Sequence, residues 1–185
     1  MDQQENTNLI KTRDSYFKTS PSRPISEWLL PFRNCVRLVR YAKQRLVLGS
    51  KLSLGRNVSF GKNVELRVPQ FMRVGDNVML GSYFIAETNL VIGADVLIST
   101  RVSCIGNDHT FDDPNQTVFS GGRLPACTIV LEGDNLIGFG TILVGNVTVG
   151  RGCIVGAGSV VINNLPQYSI CAGVPAKPIR NRFKR

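Results

Sequence analysis

The sequence predicts an all-β chain wound as a parallel β-helix, and three observations carry that expectation. From about residue 54 onward an apolar or small residue recurs at every sixth position, in hexads running from Leu54 and Phe60 to Val155 and Val161. Fifteen hexads are visible and eight have Gly at their second position, where chance would place about one or two. The two-residue alternation and Asn-Gly turns of a sandwich or barrel are scarce. A period of six also excludes an amphipathic helix.

Taken in order, residues 1 to 24 read as a flexible N-terminal arm. Its opening MDQQENTNLIKTRDSYFKTS has no apolar signal-peptide centre, and no apolar run reaches membrane-spanning length, so a cytoplasmic protein is expected. Residues 25 to 50 form a helical segment beginning after Ser26, with Pro31 in its first turn or splitting it. Trp28, Leu29, Phe32, Val36 and Val39 fall toward one side, and Arg33, Arg37, Arg40 and Lys43 toward another. Two roles stay open for this helix: packing on the first coil or on a neighbouring subunit, or a peripheral contact with an anionic membrane surface.

Residues 51 to 170 are the β-helix domain. Each hexad supplies a short β-segment with an apolar side chain pointing inward, and Gly relieves crowding at the corner that follows. Three segments close one turn, and the hexads make about five turns stacked roughly 4.8 Å apart. A two-residue slip after Phe71 interrupts the register once. The larger interruption, a polar, Gly- and Pro-rich loop over 106 to 128, is not needed to wind a β-helix and is read as functional. Residues 171 to 185 are a basic C-terminal tail.

Five cysteines at 35, 104, 127, 153 and 171 form no CxxC pair, which argues against a disulfide framework and against a zinc cluster. The formal charge of +9 raises the question of nucleic acid, but the positive residues gather toward the two ends without interleaved aromatics, so no nucleic-acid partner is expected.

The loop GNDHTFDDP, the run VGRGCIVGAGSVVINNLP and the closing AGVPAKPIR together resemble the hexapeptide-repeat acyltransferases. That family includes galactoside, maltose, streptogramin, and capsule and colanic acid acetyltransferases, and the loop is most similar to the surface-polysaccharide enzymes. The resemblance covers about residues 54 to 180 and implies a left-handed β-helix, assembly as a homotrimer, and acetyl-CoA as cosubstrate with no metal. It implies transfer of an acetyl group to a glycan or small-molecule acceptor, with an O-acetyltransferase of a surface-polysaccharide sugar leading. An antibiotic (streptogramin-type) or amino-sugar N-acetyltransferase follows, and a non-catalytic scaffold or binding subunit is the rival outside the enzymes.

His109 is the sole histidine, and its position matches the family's catalytic base. A hydroxyl is a poor nucleophile at neutral pH, so a neutral imidazole must take its proton as it attacks a thioester. An acceptor that fixes the ring's tautomer is expected, with Asp108, Asp112, Asp113 and Glu87 as candidates. The resemblance puts the oxyanion donor at the main-chain N–H of Phe139. It runs the cofactor past Ala157 and Asn163, the latter standing where the family usually has Lys, to Lys177 and Arg180 as charge partners of its phosphates. A carbonic anhydrase of similar fold would need three histidine ligands, which one His cannot supply.

Overall fold

A computed structural model describes residues 27–106 and 108–184. The expected N-terminal arm, Ser26, Asn107 and Arg185 lie outside the described residues. One turn of 3-10 helix, Glu27–Leu29, leads into a single α-helix, α1, over Leu30–Leu48, with Pro31 in its first turn. A second 3-10 turn, Gly49–Lys51, delivers the chain to the first strand.

From there the chain winds around three faces of parallel strands. The first face stacks Leu52–Leu54, Met72–Val74, Asn89–Ile92, Thr128–Leu131 and Thr148–Val149. The second stacks Ser59–Phe60, Met79–Leu80, Leu97–Ile98, Leu136–Ile137, Ile154–Val155 and Ser169–Gly173. The third stacks Glu65–Leu66, Ile85–Ala86, Ser103–Ile105, Ile142–Val144 and Val160–Val161. The sequence-derived slip is visible in the register: Leu54 pairs with Val74, twenty residues on, whereas Val74 pairs with Ile92, eighteen on. Beyond five full coils a partial sixth is present, in which Leu165 bridges Val149 and Ile170 pairs with Ile154.

The core holds two residues per hexad where one was expected. Val78 and Leu80 are both buried while Met79 between them is not, and Val96 with Ile98, and Val147 with Val149, repeat the pattern. The reason is the period of two along a strand: hexad positions five and one flank an outward residue and share its opposite face. The corners explain the remaining conservatism of the pattern. Asn57, Asn63, Asn77, Asp95 and Asp134 take left-handed φ values between 50° and 61°, which short polar side chains tolerate. A Cβ on Gly138 would lie 2.5 Å from the Ala157 nitrogen of the next coil, so stacking requires glycine there.

Both ends of the stack are finished by other elements. Carbonyls of the first coil have no preceding coil to bond. Arg40 donates to the Phe60 carbonyl at 3.5 Å and buried Gln44 to that of Val64 at 3.3 Å, while Tyr41 packs edge-on against Phe60. It is this basic and polar side of α1 that meets the coil, and Val39, Leu46 and Val47 are exposed. Trp28 and Phe32, expected on the apolar side of the helix, are exposed as well. Val39 to Arg185 form one compact unit, which includes the C-terminal half of α1.

At the other end, 171 to 185 is not a simple tail. Ala176–Asn181 turns back antiparallel on Ser169–Gly173 as the edge of the second face. Arg182 then ties to Asp134 at 2.8 Å. No helix among the described residues is long and apolar enough to cross a membrane.

Candidate active site

The chain leaves the third face at Gly106 and rejoins the first face at Thr128. Gly106 has φ +145°, and a Cβ there would stand 2.6 Å from the Gly145 nitrogen on the coil above. Its carbonyl accepts from the Cys127 thiol at 2.8 Å, so the two feet of the excursion are fastened to each other. Beyond them the excursion is an ordered hairpin. Thr110 N–H donates to the Gly122 carbonyl and Leu124 N–H to that of Asp108, both at 2.8 Å, and His109 bridges antiparallel to Arg123. At its tip Thr117 and Ser120 close a turn through their hydroxyls, 3.0 Å apart.

His109 is half-buried, and its Nδ1 is buried with no hydrogen-bond partner among the described residues. The accessible nitrogen is therefore Nε2, the one that can meet an incoming hydroxyl. None of the expected carboxylates bonds the ring. Asp108 accepts from the His109 main-chain N–H at 3.0 Å, which orders the backbone and not the imidazole. Asp113 caps the Asn115 N–H at 2.9 Å, and Asp112 is exposed. Glu87 does lie one coil beneath the loop's feet, its N–H donating to the Cys104 carbonyl. Its side chain, however, is held by Arg67 at 2.9 Å, and Arg67 also holds Glu65 at 3.0 Å. Thr88, next in that corner, has a buried hydroxyl that likewise lacks a partner.

The expected cofactor residues other than Asn163 lie elsewhere. Phe139 is exposed at the corner between the second and third faces, and its carbonyl accepts from Gly158 N–H at 2.8 Å. That places exposed Ala157 and Gly158 directly above it. Lys177 pairs with Ala172, whose Cβ would meet a Cβ on Gly156 at 2.9 Å, so Lys177 continues the same edge. Arg180 sits farther along the strand opposite Ile170, its guanidinium donating to the carbonyls of Asn181 at 3.1 Å and Lys184 at 3.0 Å. Asn163 is exposed on the edge that carries the His109 hairpin. Within one chain, then, His109 and Phe139 occupy opposite margins of the third face and are not brought together. The described residues contain no group of His, Cys, Asp and Glu able to hold a metal.

No family model matches the chain. It is 33% identical over 113 residues to a probable acetyltransferase of Mycobacterium tuberculosis, covering 60% of this chain and 37% of that protein. It is 28% identical over 120 residues to the galactoside O-acetyltransferase of Escherichia coli, covering 60% and 58%. The chain spans between 37% and 60% of the length of the first curated relatives it matches. Among solved structures, a hexapeptide-repeat containing acetyltransferase from Vibrio cholerae superposes with TM-score 0.67 and 25% identity, covering 80% of this chain and 82% of that one. The chain is thus similar in sequence to acetyltransferases and in fold to a hexapeptide-repeat acetyltransferase. Its β-helix matches the left-handed β-helix of acyltransferases of this fold. The chain also shares its fold with an N-acyltransferase from Bacillus cereus in complex with dTDP and coenzyme A, at TM-score 0.60 and 20% identity over 76% of this chain and 89% of that one.

Two features of the candidate site were not anticipated from the sequence. Arg123, opposite His109, is the only Lys or Arg between residues 102 and 150, a signal that was present but unused. The Cys127 fastening had no signal, because it depends on where the hairpin re-enters.

Proposed function

We propose that the chain is an acetyl-CoA-dependent O-acetyltransferase acting on a sugar hydroxyl, of a surface polysaccharide or its precursor, in the cytoplasm. The observation that carries the reading is His109 itself: the sole imidazole, half-buried at the base of an ordered hairpin with Nδ1 inside. Nε2 accepts the proton of the acceptor hydroxyl as its oxygen attacks the thioester carbonyl. The oxyanion receives the Phe139 main-chain N–H. Collapse expels the CoA thiolate, which takes the proton back from the imidazolium, leaving free thiol, acetyl ester and neutral His109.

Separation of His109 and Phe139 on one chain supports a site shared between copies, and a homotrimer is the assembly that supplies it. Lys177 would meet a CoA phosphate on the Phe139 edge, whereas Arg180, already donating to its own chain's carbonyls, has less capacity left for that role. The exposed Val39, Leu46 and Val47 offer apolar surface for the same association. Replacing His109 by Ala should lower thiol release from acetyl-CoA by about 10²- to 10⁴-fold with oligomeric size and CoA binding unchanged. Turnover equal to the parent's would refute the reading and leave a binding subunit in its place.

A further inference from the structure

The hairpin's hydrogen bonds locate Arg123 with respect to the base. Thr110 donates to Gly122 and Leu124 to Asp108, so the bonds flank His109 and Arg123 on both sides without joining them. That is the non-hydrogen-bonded pair of an antiparallel ribbon, in which the two side chains leave the same face and stand closest together. Asp108 and Thr110, as immediate neighbours, leave from the other face. Arg123 therefore leaves the hairpin on the same face as the base, and the neighbouring Asp108 leaves on the other. Arg123 is exposed and already interacts within the chain, and five N–H donors keep capacity for a second partner.

The cosubstrate does not account for this cation. When the thioester is at His109, the length of the pantetheine arm separates it from the CoA phosphates, for which Lys177 is the proposed basic partner. An anion beside the reacting hydroxyl must then belong to the acceptor. We propose that Arg123 sets acceptor specificity by binding an anionic group, phosphoryl or carboxylate, on the sugar that His109 deprotonates. The planar fork of Arg suits both groups through paired N–H bonds. This rests on the reading of His109 as the base.

The experiment titrates the full chain, with CoA present, with glucose, glucose 1-phosphate and glucuronate by calorimetry. At least one anionic sugar should bind about tenfold or more tightly than glucose. Preference for the phosphate or for the uronate identifies which anion is read. Arg123→Gln should erase the preference, and Arg123→Lys should keep part of it for phosphate more than for carboxylate. Where one of these sugars is also acetylated, Arg123→Gln should raise KM for it and leave kcat within about twofold. Equal or absent binding of all three sugars by the parent overturns the proposal, as does a preference that survives Arg123→Gln. His109→Ala separates the two readings. Its anion preference should persist, and continued turnover by that variant would sink the base assignment while leaving the Arg123 result standing.

Discussion

Mixing two inactive variants tests the claim that each site draws on two copies of the chain. His109→Ala removes the base, and Phe139→Pro removes the N–H assigned to the oxyanion while leaving His109 in place. On one chain these residues occupy opposite margins of the third face, and under the proposed reading a site would join the His109 margin of one copy to the Phe139 margin of the next. In randomly assembled trimers from equal amounts of both variants, a site works when its His109 comes from the Pro variant and its Phe139 from the Ala variant. That occurs in about one site in four, so activity should return to about 25% of the parent's. Either variant alone should fall about 10²-fold or more. The assay is thiol release by co-expressed, doubly tagged protein, with sedimentation showing that each variant assembles by itself. Co-assembled protein no more active than its components would refute the shared site.

Other expectations follow from single residues. Gly106→Ala places a Cβ 2.6 Å from the Gly145 nitrogen at φ +145°, so it should lose about 1–3 kcal/mol of stability and about 10²-fold in kcat as the hairpin shifts; denaturant titration and thiol release check both. Asn135, buried, accepts from Gly133 N–H at 3.0 Å and donates to the carbonyls of Gly150 at 2.8 Å and Cys153 at 3.3 Å. Its replacement by Ala should destabilise the chain by about 2–4 kcal/mol, read as a lower denaturation midpoint. Burial pushes the Cys104 thiol from 9.0 up to about 12. Between those values the unfolded chain releases a proton that the native chain keeps, so this contribution is complete below pH 9 and is lost as pH rises toward 12. Comparing denaturation at pH 8 and pH 10 in the parent and in Cys104→Val should show a smaller alkaline loss in the variant; equal losses would remove Cys104 as a cause. Glu87→Gln should change kcat less than about threefold, because the carboxylate is engaged by exposed Arg67, and a hundredfold loss would return it to His109.

The site was legible to different depths. His109 stood out because it is a single residue type at a break in a strict period, two facts that need no coordinates. The choice among Asp108, Asp112, Asp113 and Glu87 was not legible, since it depends on side-chain directions. The hairpin spends Asp108 on a main-chain N–H and the lower coils spend Glu87 on Arg67. Arg123 lay fourteen residues from His109 in sequence, and only antiparallel pairing makes them neighbours. For the helix, periodicity shows that α1 has two unlike sides without saying which meets the coil. Open carbonyls at the end of the stack favoured Arg40 and Gln44 over the apolar stripe.

A repeat of six residues sufficed to specify the winding, because each coil bonds mainly to its two neighbours and the same local rule is applied again and again. Nothing in that rule determines which corner faces which, where a hairpin's strands meet, or how the stack is closed at its ends. Those were settled by contacts between residues far apart in the chain, through the demand of open backbone groups for partners and the closeness of facing side chains.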